Sequence, residues 1–152
     1  MGLTLEINTS DLQKASTRLQ GIKLRSQDIR EAGPAMRLLL QEDVDLRFQS
    51  SPATESGGEV FGGEYWEAIS PEYLLMRPIR RNGQILRDTG ELLQSMTAAG
   101  NPYEVFEVTE NELVFGTALA KASRLQRDRP FLFWHPALLE KVADYIANYI
   151  GG

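Results

Sequence analysis

The chain has 152 residues, a length that fits one domain, and 42% of them are apolar, which is enough for a buried core. Cysteine is absent, which excludes disulfides, thiolate nucleophiles and sulfur-ligated metals. A net charge of -5 argues against general affinity for nucleic acid. No segment has the roughly 20 apolar residues of a membrane-spanning helix, and the N-terminus lacks signal-peptide features. We therefore expect a soluble domain spanning residues 1–152, with no membrane partner.

Residues 1–50 are predicted to be mainly helical. Leu3–Ile7 alternates apolar and polar residues, which indicates a short strand before the first helix. That helix is expected to be capped by Thr9 or Ser10 and to reach about Leu24. A second helical stretch is expected to start near Ser26 and to be interrupted at Gly33-Pro34 by a kink or a fresh helix start, because proline fits a first helical turn but not a helix interior. The helix from Pro34 is expected to reach about Phe48. Its buried face is predicted from apolar residues four apart: Met36, Leu40, Val44 and Phe48.

Residues 49–63 (QSSPATESGGEVFGG) are rich in glycine and serine and predict a flexible loop. Residues 64–152 then alternate between helix and strand signals. Ser70 before Pro71 predicts a capped helix over Glu72–Met76. Asp88 and Glu91 have the spacing of a capping box, which predicts a helix to about Ala98.

Two apolar-rich segments, Tyr103–Val108 and Glu112–Thr117, predict the strands of a β-hairpin. From Pro136, apolar residues four apart predict a C-terminal helix that ends at Gly151. The expected fold class is α+β: a small antiparallel β-sheet with a long N-terminal helical region and a C-terminal helix packed on it.

Positive charge is concentrated in two short segments, Arg77–Arg87 and Lys121–Arg129. Together they carry +7, so the rest of the chain carries -12. Such runs are commonly solvated loops, but they are also candidates for a subunit or partner interface. The candidate residues are Arg77, Arg80, Arg81, Arg87, Lys121, Arg124, Arg127 and Arg129.

The sequence offers little support for catalysis. The single histidine, His135, precedes a helix start and is expected to cap or pack, and one histidine without cysteine cannot build the usual zinc sites. Asp43 and Asp45 are two apart on a helix and point to different faces. Arginines near Phe131 allow an alternative as a base-stacking surface, although core packing of the rings is favoured. We expect no catalytic residue, no cofactor and no metal.

Four short motifs occur along the last two thirds of the chain. The first is Trp66–Pro71 (WEAISP), and the second is Gln84–Met96 (QILRDTGELLQSM). The third, Val114–Thr117 (VFGT), ends a predicted strand, and the fourth, Arg129–Leu132 (RPFL), precedes the last helix. In this order and spacing they resemble the virion morphogenesis or tail completion proteins of Mu-like phages and their relatives.

The resemblance covers about Phe48–Ile150, and one part departs from the family pattern. Lys121–Gln126 (KASRLQ) keeps an alanine and a glutamine but lacks the tyrosine and histidine that usually follow the Gly-Thr strand. The loop there is also shorter than in the family. Nine motif residues are expected to hold the domain together: Trp66, Leu86, Thr89, Gly90, Leu92, Gly116, Arg129, Pro130 and Phe131.

The resemblance implies a structural role, not an enzymatic one. It implies a ring of copies of this chain, six-fold to match the tail tube, at the head–tail junction of a virion assembled in the host cytoplasm. The implied partners are neighbouring neck and tail proteins, including the tail tube and a connector or adaptor. DNA would pass through the channel without specific binding.

Within such a ring, the basic segments are expected to face acidic patches on a neighbour. Charge reversal at Arg80 and Arg81 is then expected to weaken assembly. A head-side adaptor or stopper is the alternative role, and a nucleic-acid-binding or enzymatic phage protein is a more distant one.

Overall fold

The computed structural model describes residues 2–15, 28–87 and 89–151. The chain forms six described α-helices and five described strands, in the order β1-α1-α2-β2-β3-α3-α4-β4-β5-α5-α6. The strands are β1 Leu3–Asn8, β2 Gly58–Val60, β3 Glu64–Trp66, β4 Glu104–Val108 and β5 Glu112–Thr117. The helices are α1 Thr9–Ala15, α2 Gly33–Gln49, α3 Pro71–Met76, α4 Glu91–Thr97, α5 Ala122–Asp128 and α6 Pro136–Gly151. The predicted α+β class is confirmed.

The larger sheet is antiparallel, with strand order β1-β5-β4. The predicted hairpin supplies β4 and β5, and the N-terminal strand pairs with the other side of β5. Phe115 in the central strand is fully buried and faces Leu5 on one side and Phe106 on the other. At Gly116 the backbone of β1 lies so close that a Cβ would overlap the Leu3 carbonyl oxygen.

Helices α2 and α6 pack together in the core. The predicted stripe of α2 is confirmed, since Met36, Leu40, Val44 and Phe48 are all buried. In α6, Leu138, Val142 and Ile146 are buried in the same way. Helix α6 has its main helix contacts with α2 and α1, while α2 and α4 both contact the three-stranded sheet.

The start of α1 differs from the prediction. The Asn8 side-chain oxygen, and not that of Thr9 or Ser10, accepts a hydrogen bond from a first-turn amide, that of Asp11, at 2.7 Å. The Thr9 amide instead donates to the Asn111 carbonyl in the β4–β5 turn. The predicted continuation of α1 to Leu24 lies outside the described residues.

The segment predicted as a flexible loop, residues 49–63, contains strand β2, which pairs with β3. Its backbone bonds to a distant segment as well: the Thr54 amide donates to the Gly83 carbonyl, and Pro52 accepts from Ile85. Thr54 is fully buried. The composition of the segment did not predict these hydrogen bonds, because Gly83 and Ile85 lie about thirty residues later in the chain.

The predicted capping box before α4 is wrong. The helix begins at Glu91, and its N-cap residue is Gly90, which has a left-handed φ of 78° and no side chain that could cap the helix. Thr89 Oγ1 accepts from the Glu91 amide at 3.3 Å, and the Glu91 carboxylate lies 3.4 Å from Lys121 Nζ. Asp88, the predicted cap, lies outside the described residues. A second difference is α5, which occupies a stretch predicted as loop.

Candidate interface cleft

The first and fourth motifs are bonded to each other. Trp66 is fully buried, and its indole Nε1 donates to the Pro130 carbonyl at 2.6 Å. The Arg129 guanidinium donates to the backbone carbonyls of Glu67 and Ala68 at 2.9 and 3.1 Å. Two segments more than sixty residues apart are thereby joined through one indole and one guanidinium.

The second and third motifs are bonded in the same manner. The hydroxyl oxygens of Ser95 and Thr117 lie 2.7 Å apart, and both residues are fully buried. Thr117 Oγ1 also accepts from the Leu119 amide at 3.2 Å. Gly116, beside Thr117, leaves the space that β1 occupies.

The side chain of Gln126 in α5 forms hydrogen bonds with the backbone of the fourth motif. Its side-chain oxygen accepts from the amides of Phe131 and Leu132, each at 3.0 Å, and its nitrogen donates to the Leu132 carbonyl at 2.6 Å. Ala122, one turn earlier on α5, is fully buried. The alanine and glutamine kept in the divergent segment thus have structural roles.

Residues of the first, second and fourth motifs line a cleft of about 540 Å³ between α3, the start of α4 and α5. Four of the eight predicted interface residues line it: Arg80, Lys121, Arg124 and Arg129. Five of the nine predicted structural motif residues line it as well: Leu86, Thr89, Gly90, Leu92 and Arg129. The two predicted sets of residues therefore meet at one place on the surface.

The cleft combines apolar walls with excess positive charge. Ile69, Leu86 and Leu125 contribute apolar walls, and its four cations face two carboxylates, Glu67 and Glu91. Leu86 has a φ of 64°, which is rare for a bulky residue and stores backbone strain at the rim. This combination suits a partner segment that carries acidic and apolar side chains together.

The four cations differ in their freedom to meet a partner. Arg80 is only 6% exposed, and Arg129 is bonded to two carbonyls, so both support the cleft from within. Lys121 forms an ion pair with Glu91. Arg124 is exposed and lines the opening, which makes it the cation most able to reach a partner.

The other four predicted interface residues do not line the cleft. Arg81 forms an exposed ion pair with Glu55 at 3.0 Å, and Arg87 donates to Gln84 at 2.6 Å. Arg127 lies 3.9 Å from Asp128 on the exposed side of α5. Arg77 is exposed at the end of α3.

Beside the cleft, three large apolar side chains at the end of α3 and in the turn after it project into solvent. Leu75, Met76 and Ile79 are 71%, 81% and 86% exposed. We call these three residues the α3 knob. The available signal was in the chain itself: three large apolar residues occur in a short capped helix and the turn after it, among arginines.

A buried polar cluster lies between α2 and the start of α6. His135 Nε2 is 2.6 Å from Asp43 Oδ1, and Arg47 Nη2 donates to Asp43 Oδ2 at 2.6 Å. Arg47 also donates to the Phe61 and Phe131 carbonyls. Burial lowers the pKa of the Arg47 guanidinium, while the Asp43 carboxylate opposes that effect.

This cluster is structural in its contacts. The Arg47 guanidinium lies 4.0 Å from the Phe133 ring centre, and Phe61 packs edge-on against His135. Phe131 is fully buried beside Phe48. The Phe131 ring therefore packs in the core and the Phe133 ring lies against Arg47, which supports the expected packing role over a base-stacking surface.

Among the described residues, no group of three or more His, Asp or Glu side chains is arranged to hold a metal ion. No helix in the described ranges has the length and apolar character that crossing a bilayer requires. Comparison with protein-family models, curated proteins and solved structures found no match. The resemblance to the phage family therefore stays a prediction based on the four motifs.

Proposed function

We propose that this chain is a structural subunit of a tailed bacteriophage that acts in tail completion and head–tail joining as an oligomeric ring. The observation that carries the proposal is the arrangement of the four motifs. They bond in pairs, Trp66 to Pro130 and Ser95 to Thr117, and residues of the first, second and fourth motifs line the cleft that contains half of the predicted interface cations.

A ring subunit needs one surface to meet one neighbour and a different surface to meet the other. The cleft and the α3 knob offer a surface that is positive and apolar. The β4–β5 hairpin offers exposed carboxylates at Glu107 in β4, Glu110 in the turn and Glu112 in β5. This separation of charge supports a contact between unlike surfaces of neighbouring copies.

The proposal includes six-fold symmetry, contact with the tail tube and a connector, and DNA that passes without specific binding. An acidic chain supports the last point, because carboxylates facing a channel repel the phosphate backbone.

Electron microscopy of particles made without this gene product tests the function. Full heads beside separate tails would support head–tail joining, and abnormal tail lengths would assign the chain to the tail end. Heads that lose their DNA would instead favour the head-side stopper. Normal infectious virions would contradict the proposal, and supplying the wild-type chain from a plasmid is the control.

A further inference from the structure

The α3 knob is held at a fixed position although its side chains have no cover. Ser70 caps α3 by accepting from the Tyr73 amide at 3.3 Å, and Leu74 is buried beneath it. The turn Pro78–Arg80 is fastened by the Thr54 hydroxyl, which donates to the Arg80 carbonyl at 2.5 Å. Three adjacent exposed apolar side chains on a fixed support are typical of a protein contact.

A second exposed apolar surface is centred on one residue of α2. Leu38 is 65% exposed, whereas the stripe on the opposite side of the helix is buried. At helical spacing around it lie Pro34, Glu42 and Asp45, and Glu31 lies in the 3-10 turn just before α2; we call these five residues the α2 ridge. The ridge contains three carboxylates and no cation. Arg37, next to Leu38 in sequence, is ion-paired with Glu104.

The two surfaces complement each other. The knob is apolar and is flanked by Arg77 and Arg81, while the ridge has an apolar centre flanked by carboxylates. The ion pair of Arg81 with Glu55 is exposed and therefore screened by solvent, so it is readily exchanged for a contact with another carboxylate. Burial of apolar centres supplies affinity, and the opposite charges around them fix the orientation.

We propose that the α3 knob of one copy docks on the α2 ridge of a second copy of this chain. This inference rests on the proposed ring function and names the surfaces that would build it. The exposed carboxylates of the β4–β5 turn lack an exposed apolar residue as large as Leu38, which makes the ridge the better acceptor.

The contact is heterologous, because the knob and the ridge are different patches. The knob is bonded to Thr54, which follows the C-terminal end of α2 at Gln49. Leu38, at the centre of the ridge, lies roughly 16 Å from Gln49 along the same helix. Each added copy therefore leaves one knob and one ridge open at the ends. Such a contact closes into a ring when the rotation between copies permits it.

Two variants that block opposite surfaces test the proposal. Ile79→Glu places a carboxylate in the knob, and Leu38→Glu places a carboxylate in the ridge, so the two blocked surfaces also repel each other. Each purified variant should be monomeric in sedimentation velocity, whereas the wild type should form oligomers. An equimolar mixture should give a 1:1 heterodimer, because the intact knob of one variant can dock on the intact ridge of the other. The heterodimer should not grow, because the two surfaces left open are the blocked ones.

Tyr65→Glu is the matched control, since Tyr65 is 58% exposed but belongs to neither surface; its oligomers should equal those of the wild type. Met76→Glu provides a second block of the knob. Circular dichroism and thermal unfolding verify that each variant is folded.

A mixture of folded variants that stays monomeric would overturn the proposal. A wild type that is monomeric at every concentration would also overturn it. These outcomes leave the function itself open to its own test, because microscopy of gene-disrupted particles reports on head–tail joining however the copies contact one another.

Discussion

His135 Nε2 lies 2.6 Å from one carboxylate oxygen of Asp43, and the other oxygen of that carboxylate accepts from Arg47 Nη2 at 2.6 Å. One buried carboxylate thus connects the only histidine of the chain, at the start of α6, to the end of α2. The three side chains are nearly inaccessible to water. Their contacts fix how the C-terminal helix enters the core, so removal of one member should be costly.

Replacement of Arg47 by Met tests that cost. The variant leaves the Asp43 charge buried without its cation, which is expected to lower the free energy of unfolding by about 3–5 kcal/mol. Urea denaturation followed by circular dichroism measures the change. Arg81→Met is the control, because its exposed ion pair should change stability by about 1 kcal/mol or less. Equal effects of the two variants would contradict the structural role of the cluster.

The hydroxyl pair of Ser95 and Thr117 predicts energetic coupling between the second and third motifs. In a double-mutant cycle with Ser95→Ala and Thr117→Val, the coupling free energy should be about 1 kcal/mol. Thr54→Val shares no hydrogen-bond partner with Ser95 and should be additive with it. Additive effects of Ser95→Ala and Thr117→Val would show that the motifs do not stabilise each other.

Gly116 and Gly63 require glycine for two different reasons, close backbone packing and a left-handed φ. Gly116→Ala should lower the free energy of unfolding by about 3 kcal/mol or more, because the Cβ would overlap the backbone of β1. Gly63→Ala should lower it by about 1–2 kcal/mol, because its φ of 86° is left-handed but nothing lies within 4 Å of the new Cβ. Thermal unfolding compares them, and a larger effect at Gly63 would disagree with the β1–β5 pairing.

Arg80 and Arg124 should respond differently to charge reversal. Arg80→Glu places an anion at a position that is only 6% exposed and should prevent stable folding. Its burial makes Arg80 part of the structure that supports the cleft, and its role as an interface residue stays a prediction. Arg124→Glu should fold normally, because Arg124 is exposed, but should reduce the yield of joined particles in complementation.

Tyr149 and Glu31 predict a pH effect at the edge of the α2 ridge. The hydrogen bond that the Tyr149 hydroxyl donates to Glu31 raises the pKa of the phenol above its ordinary value. The bond therefore contributes stability below the ordinary tyrosine pKa, about 10, and loses it as pH rises through the raised pKa. Ultraviolet titration should show one phenol shifting downward in Glu31→Gln and disappearing in Tyr149→Phe. An unchanged titration would exclude the contact.

Local signals predicted much of the fold. The stripe of α2 follows from helical periodicity, the cap of α3 from Ser70 and Pro71, and the hairpin from two apolar runs around a short turn. Each of these depends on residues close in sequence. The failures came where a local pattern competed with tertiary contacts: Gly90 starts α4 with left-handed backbone in place of the capping box, and α5 forms where a loop was expected.

The site was predictable in part. Charge clustering identified Lys121 and Arg124, which do line the cleft, but it gave equal weight to the buried Arg80. The pairing of Asp43 with His135 was beyond sequence reasoning, because the two lie 92 residues apart and neither belongs to a motif. Exposure of the α3 knob was missed because apolar residues in a short helix were not assigned to a face.

The order of the strands has a consequence for how the chain is made. Leu3 pairs with Thr117, so β1 is synthesised more than a hundred residues before its partner strand β5. Contacts between such distant segments form slowly, and β5 presents an uncovered edge until β1 arrives. The nascent chain is therefore most prone to mispairing with other copies just before the N-terminal strand closes the sheet.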